Sequence, residues 1–184
     1  MGRKRDMATT SALKTKRNSQ VKPDLAKIIP VITQPIIGET CHQISFSYGD
    51  ELKLDFGEMT PCEHPRLADL LEGSWRLGAR ATPWIIKHNN QIFISTSELD
   101  TDEEIEAGKL IAKQLENKKL LELVVDGETV SLTLGFEDSY QLILEPDLAD
   151  DSGLAYWELF MPTAQFLAVG PGYFWSCKSI YDPA

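Results

Sequence analysis

The sequence predicts an α+β fold that is mainly antiparallel β, with one or two short helices and an internal duplication. Short apolar–polar alternations separated by turn-forming residues support the β assignment, and a faint repeat supports the duplication. Residues 75–97 align without a gap over residues 157–179 at an offset of 82, and three of the 23 aligned positions are identical. The identical pairs are Trp75/Trp157, Leu77/Leu159 and Ser97/Ser179. The repeated unit reads as a tryptophan-bearing strand followed by a hairpin.

Two upstream hairpins support the repeat at a different offset, 78 residues. Residues 44–56 and 121–134 both alternate around a turn that combines an acid with glycine. These turns are Gly49-Asp50 and Asp126-Gly127. Leu52, Leu54 and Phe56 correspond to Val130, Leu132 and Leu134 as inward positions, whereas Ser45, Ser47, Lys53 and Asp55 are expected to meet water. The change of offset predicts an insertion in the second half, most simply an extra strand at residues 140–144.

The chain divides into a basic leader, residues 1–27, and an acidic body, residues 28–184. The leader has eight basic and two acidic residues, a balance of +6, which leaves 10 basic and 26 acidic residues in the body, a balance of −16. Because the leader has almost no large apolar residues, it is predicted to be disordered. Alternatives are a targeting segment or a true start at Met7. The body is predicted to be one globular domain made of two related halves, residues 28–99 and 100–184.

Three segments of the body decide where helices are expected. Residues 28–37 are apolar but contain Pro30 and Pro35, which favours an edge segment or an extended arm. A two-turn helix is predicted from Pro65, with Gly73 as its terminating residue and leucines on one side. Those leucines are Leu67, Leu70 and Leu71. A longer helix is predicted from Asp102 to about Asn117, because Thr101 and Glu104 form a capping box. Its expected inward residues are Ile105, Ile111, Ala112 and Leu115.

Candidate metal and catalytic groups are few, and none has a convincing spacing. Cys41, His42, Cys62 and His64 have zinc-binding side chains, but the adjacent Cys41 and His42 would point to opposite faces of a strand. Asp100, Asp102 and Glu104 resemble a calcium loop, yet its glycine and glutamate positions hold Ile105 and Ile111. Cys62 with His64 or His88 lacks a nucleophile signature. The sequence therefore predicts no catalytic residue, no metal site and no cofactor, and it leaves open whether Cys62 and His64 bind a metal.

Aromatic residues allow two interpretations. Trp75, Trp84, Trp157 and Trp175 are expected to fill the core. Tyr156, Tyr173 and Phe174 alternate with two of these tryptophans, so some aromatic side chains should face outward and could anchor a partner or a small ligand.

Charge argues against a nucleic-acid partner. The leader residues Arg3, Lys4, Arg5, Lys14, Lys16 and Arg17 could contact phosphates, but the −16 body repels the same polyanion. No apolar stretch approaches the roughly 20 residues that span a bilayer, so no membrane is expected. Cys41, Cys62 and Cys177 are an odd number without regular spacing, which indicates reduced thiols and a cytoplasmic protein. Cys177 is expected to face the core.

The predicted function is a non-enzymatic, acidic binding or interaction module that meets a basic partner protein. An inhibitor or immunity-type protein is one concrete form, with exposed acids such as Asp138, Asp147, Asp150 and Asp151 facing the partner. The alternative is a small-molecule sensor or storage protein with an aromatic pocket between the two halves. The sequence does not indicate the specific partner or the oligomeric state.

Overall fold

The computed structural model describes residues 24–47, 51–62, 65–67, 69–80, 82–99, 101–150 and 152–182. These residues form a mainly antiparallel β fold with eleven strands and two short α-helices, which confirms the predicted α+β, mainly antiparallel class but not the predicted internal duplication. The helices are α1 (Leu25–Thr33) and α2 (Asp102–Ala112). The strands are β1 (Thr40–Ser47), β2 (Glu51–Pro61), β3 (Leu71–Ala79), β4 (Trp84–His88), β5 (Gln91–Ser95), β6 (Lys118–Val125), β7 (Leu132–Phe136), β8 (Tyr140–Leu144), β9 (Trp157–Met161), β10 (Gln165–Gly170) and β11 (Phe174–Ser179).

The strands form two antiparallel sheets joined by one short contact. The first sheet has the order β11-β10-β9-β3-β2-β1, and the second has the order β6-β7-β8-β4-β5. Only two residue pairs, Thr40–Lys119 and Cys41–Lys118, join β1 to β6. The chain therefore leaves the first sheet after β3, forms the second sheet with β4–β8, and returns to the first sheet with β9.

The hydrophobic core lies between the two sheets. Phe56 on β2 stacks with Phe136 on β7 at 6.3 Å between ring centroids, and Phe46 on β1 lies 6.2 Å from Trp84 on β4. The inward positions on paired strands are apolar and buried, as the alternation of the sequence predicts. They include Leu52, Leu54, Leu132, Leu134 and Leu159.

The extended arm predicted for residues 28–37 is wrong, because Leu25–Thr33 forms α1 with Pro30 inside it. Leu25, Ile29 and Thr33 follow each other at four-residue spacing and are buried, and the helix packs against β6. A proline inside a helix removes one backbone hydrogen bond and crowds the carbonyl four residues earlier, and here the burial of this face outweighs that cost. Since Leu25 is fully buried, the folded region begins before residue 28, the first residue of the expected body. Residues 1–23 lie outside the described part of the chain.

The second predicted helix is confirmed as α2, and the first is wrong. Thr101 accepts a hydrogen bond from the backbone of Glu104, whose side chain in turn accepts from the Thr101 backbone, so the capping box is present. Pro65, by contrast, starts only a 3-10 turn, Pro65–Leu67, and β3 begins at Leu71. Pairing of residues 71–79 with β2 satisfies their backbone and buries alternate side chains, which overrides the helical leucine spacing.

The two aligned tryptophan strands are neighbours in the first sheet, but their following hairpins differ. Leu77 pairs with Leu159 and Ala79 pairs with Trp157, so β3 and β9 lie side by side. β10 then pairs with β9, whereas the β4–β5 hairpin that follows β3 joins the second sheet. The predicted hairpin pairing of residues 44–56 is confirmed as β1–β2, and the strand predicted at residues 140–144 is confirmed as β8.

The two glycines of β3 give a matched test of this packing. A methyl group at Gly73 would approach the backbone nitrogen and oxygen of Phe56 to 2.6 Å, whereas one at Gly78 would meet nothing within 4 Å. We expect Gly73→Ala to lower the free energy of unfolding by about 1–3 kcal/mol. Gly78→Ala should change it by no more than about 0.5 kcal/mol. Urea denaturation measures both, and equal effects of the two substitutions would contradict the close approach of β2 and β3.

Candidate binding groove

A groove of about 590 Å³ lies on the outer face of the first sheet, over β1, β2, β3 and β9. Its floor consists of cross-strand rows that point away from the core. One row contains Gln43, Asp55, Arg76 and Phe160, and the next contains Ser45, Lys53, Gly78 and Glu158. Gly78 has no side chain at the middle of its row, so the floor is lowest there.

One end of the groove has an apolar rim formed by the chain between β2 and β3. Leu67, Leu70 and Leu71 line this end and are 45, 56 and 50% exposed. The backbone N–H of Cys62 donates to the Leu70 carbonyl at 2.8 Å, which joins the two ends of this connection next to the Pro61–Leu71 pair. The groove therefore combines three accessible leucines with a charged floor.

Two arginines, Arg76 on β3 and Arg80 directly after this strand, form ion pairs with neighbouring carboxylates. Arg76 Nη1 lies 2.8 Å from Glu72 Oε1, and its guanidinium carbon lies 4.7 Å from the ring centroid of Phe160. Arg80 Nε donates to Glu158 Oε2 at 2.9 Å, and this bond raises the pKa of Arg80. Such surface ion pairs contribute at most about 1 kcal/mol to stability. Their main effect here is to hold both arginines along the groove.

Asp55 is the most buried charged residue of the groove, at 8% exposure. Its Oδ1 accepts a hydrogen bond from the backbone N–H of Gly73 at 2.8 Å. Burial raises the pKa of Asp55, although the Gly73 bond and the charge of Arg76 act in the opposite direction. The expectation that Asp55 faces water is therefore wrong. A register shift between Phe56 and Met59 accompanies the approach of Gly73 to the carboxylate, an irregularity that strand alternation does not predict.

The tryptophans lie in the core rather than in this groove. Trp75, Trp84 and Trp157 are 6, 1 and 0% exposed, and Trp175 is partly buried. Among the alternating aromatic residues, Phe174 is 57% exposed, whereas Tyr156 is 2% exposed. The hydroxyl of Tyr173, which is partly buried, donates to the Glu128 carbonyl at 3.1 Å.

The candidate zinc-binding side chains are not brought together where the structure describes them. Cys41 is buried, and burial raises the pKa of its thiol, with Glu116 and Asp55 adding to the effect. His42 next to it is exposed, and Cys62 is half-buried beside the groove. His64 lies outside the described residues. Within the described residues, no group of three or more histidine, cysteine or carboxylate side chains has a geometry that could hold a metal ion.

Other predicted candidates have local partners. Asp102 and Glu104 lie in the first turn of α2, and Asp138 Oδ2 lies 2.6 Å from Lys118 Nζ. Asp147 and Asp150 accept hydrogen bonds from the backbone N–H groups of loop residues two positions further on. His88 stacks on Tyr140 at 4.2 Å between ring centroids. Asp100, Asp151, the Gly49-Asp50 turn and the basic residues from Arg3 to Arg17 lie outside the described residues. Cys177 is only partly buried, although it does contact the core.

Comparison with known proteins gives no relative: no family model, curated protein or solved structure matches this chain. In the described part of the chain, the helices are too short or too polar to cross a membrane.

Sequence reasoning did not find the groove, because its residues come from strands that are distant in the chain. Arg76 and Phe160, for example, meet only because β3 pairs with β9. The one available signal was Gly78, a glycine inside a predicted strand, since such a glycine often marks a place where another group approaches the backbone.

Asp55 gives a pH-dependent prediction for stability. Burial raises the pKa of Asp55 on folding, and repulsion from Glu72 adds to this effect, whereas the Gly73 hydrogen bond and the charges of Arg76 and Lys53 oppose it. The folded state therefore resists ionisation of this carboxyl. The resulting penalty is absent where Asp55 is protonated in both states, below about pH 4, and grows as pH rises through the folded-state pKa. Asp55→Asn keeps an acceptor for Gly73 and removes the charge. We expect it to be at least as stable as the wild type at neutral pH, with the difference vanishing in acid.

The control is Asp55→Ala, which removes the acceptor and should cost about 1–3 kcal/mol at every pH. Urea unfolding at a series of pH values measures all three proteins. A stability deficit of Asp55→Asn that grows with pH would show that attraction to Arg76 and Lys53 exceeds the cost of burial.

Proposed function

We propose that this protein is a non-enzymatic binding module whose groove on the first sheet holds a positively charged, partly apolar segment of a partner protein. The observation that carries the proposal is Asp55, a nine-tenths buried carboxyl in the groove with only one of its oxygens hydrogen-bonded within the described residues. A lysine, arginine or amino-terminal group of the partner would supply the missing donor. A charge-assisted bond of this kind is roughly twice as strong as a neutral one.

The charge of the groove supports a basic partner. Its lining contains four carboxylates, those of Glu51, Asp55, Glu72 and Glu158, and three cations, those of Lys53, Arg76 and Arg80. Arg76 and Arg80 are paired with Glu72 and Glu158, so the charge of Arg76 offsets that of Asp55 only in part. The body as a whole carries −16. This field would attract a basic partner from a distance and raise its association rate.

The leucine rim supports a partner segment with apolar side chains as well as charge. Leu67, Leu70 and Leu71 would bury area on binding, and apolar burial contributes about 25 cal/mol per Å². An inhibitor or immunity-type protein that covers a basic surface of its target is one form of this function. The free cysteines, Cys41, Cys62 and Cys177, support a reducing compartment such as the cytoplasm.

We also propose that the chain arose by duplication, in a register set by the order of the elements rather than by the tryptophan alignment. A helix, a 3-10 turn and five strands follow one another in both α1–β5 and α2–β10. Trp84 and Trp157 each begin the fourth strand of the unit, and both are fully buried. The inward residues of β2 match those of β7 at the offset of 78 residues, for example Leu54 and Leu132. Homologues whose two units fail to align in this register would contradict the duplication.

Binding of a synthetic extended peptide that alternates leucine and lysine tests the function. Fluorescence anisotropy with the full-length protein should show binding that weakens with salt and falls about tenfold in Asp55→Asn, a loss of about 1.4 kcal/mol. The matched control is Asp138→Asn, which removes the same charge outside the groove lining. It should leave the affinity nearly unchanged.

A second peptide with glutamate in place of lysine separates charge from apolar contact and should bind at least tenfold more weakly. Equal binding of both peptides, or equal losses in Asp55→Asn and Asp138→Asn, would overturn the groove as the site. Chemical cross-linking through the Cys62 thiol, followed by mass spectrometry, then identifies a natural partner at the groove.

A further inference from the structure

Among the described residues, strand β11 is an edge of the first sheet that pairs only with β10. Its six pairs with β10, from Gln165–Ser179 to Gly170–Phe174, follow one register without a shift. The other free edge, β5, has a register shift against β4. Such bulges disturb an edge and hinder pairing with another chain. β11 has no irregularity of this kind, and Lys178 is its only charged residue.

The direction of the backbone groups on β11 follows from two hydrogen bonds at its end. The N–H of Ile180 donates to the Ala164 carbonyl, on the side of β10, whereas the N–H of Ser179 donates to Asp182 Oδ2. Because N–H groups alternate along an antiparallel strand, those of Trp175 and Cys177 face away from β10. Among the described residues, no backbone hydrogen bond reaches these two residues from that side.

The side chains of the same two residues face the core and are incompletely covered. Trp175 pairs with Val169, and Cys177 pairs with Leu167, both of which are fully buried. Trp175 and Cys177 themselves are only partly buried, although both pack against the core. The free edge therefore leaves both hydrogen-bonding groups and core-facing side chains accessible at the end of the sheet.

We propose that β11 pairs antiparallel with β11 of a second copy of this chain, about a two-fold axis at Ser176. In this register Trp175 lies opposite the partner's Cys177, and the two residues exchange both backbone hydrogen bonds. The two-fold axis repeats the pair, giving four such bonds. Phe174, which is 57% exposed, lies opposite the partner's Lys178, a cation–aromatic pair. The strand is thus complementary to itself, and a two-fold contact of this type closes into a dimer rather than a fibre.

Net charge opposes this dimer at low salt. Each body carries −16, so two copies repel each other, while the paired strands bring no like charges directly opposite. At 0.1 M salt, repulsion between charges more than roughly 10 Å apart is largely screened. Dimerisation should therefore strengthen with salt, the opposite of the response expected for a basic partner in the groove, so the two proposals can fail separately.

Light scattering after size-exclusion chromatography of the full chain gives the first test. We expect a rise to twice the mass of one chain with increasing protein and salt concentration. Ser176→Asp places two carboxylates across the axis and should abolish that rise. The control is Thr163→Asp, which adds the same charge in the exposed turn between β9 and β10 and should dimerise like the wild type. A wild-type monomer under all conditions, or equal dimerisation of the two variants, would overturn the proposal.

A cross-link tests the register independently of any loss of folding. Ser176→Cys would put two thiols opposite each other in a pair without backbone hydrogen bonds, with Cα atoms about 4.5 Å apart, which suits a disulfide. Mild oxidation should therefore give a covalent dimer. Ser179→Cys is the matched control, because its two copies would lie about 20 Å apart along the strands. Native Cys177 would also be too far from its copy, at roughly 8–9 Å. Covalent dimer at the same rate in both variants would overturn the two-fold register.

Discussion

The rest of the structure depends on the point where the chain crosses between its two sheets. The connection from β3 to β4 and the connection from β8 to β9 meet there and are bonded to each other. The N–H of Arg80 and the hydroxyl of Thr82 both donate to the Tyr156 carbonyl, at 3.1 and 2.7 Å, and the N–H of Glu145 donates to the Pro83 carbonyl at 2.9 Å. Thr82 and Tyr156 are buried, so these bonds are protected from water and costly to lose.

The crossing makes the two sheets interdependent. The first sheet needs β9–β11 from the end of the chain, and the second needs β4 and β5 from its middle, so neither can be completed by a continuous stretch. Closing such long loops costs conformational entropy before the contacts that stabilise the closed chain can form. The core between the sheets therefore forms only when both parts of the chain are in place. The groove also depends on the crossing, because Glu158 and Phe160 lie beside β3 only after the chain has returned to the first sheet.

Sequence reasoning succeeded where the physical cause is local. The Thr101–Glu104 capping box and the alternation of Leu52, Leu54 and Phe56 each predict a structure that their neighbours alone can form. It failed where distant parts decide the outcome. Pro30 argued against a helix, but burial of Leu25 and Ile29 against β6 stabilises one. The burial of Asp55 and the neighbours of Arg76 depend on β3 and β9, whose pairing no spacing within the sequence reveals.

The acidity of the body has a structural origin as well as a consequence for binding. Carboxylates repeatedly accept backbone N–H groups where the chain turns or a strand pairing is irregular: Asp126, Asp147, Asp150, Asp182, Glu116 and Glu137 do so in addition to Asp55 and Glu104. Lysine and arginine cannot replace them, because neither side chain is an acceptor. Each bond fixes a side chain without removing its charge. A chain that stabilises so many turns in this way accumulates an ordered negative surface, which is the surface that the proposed basic partner would meet.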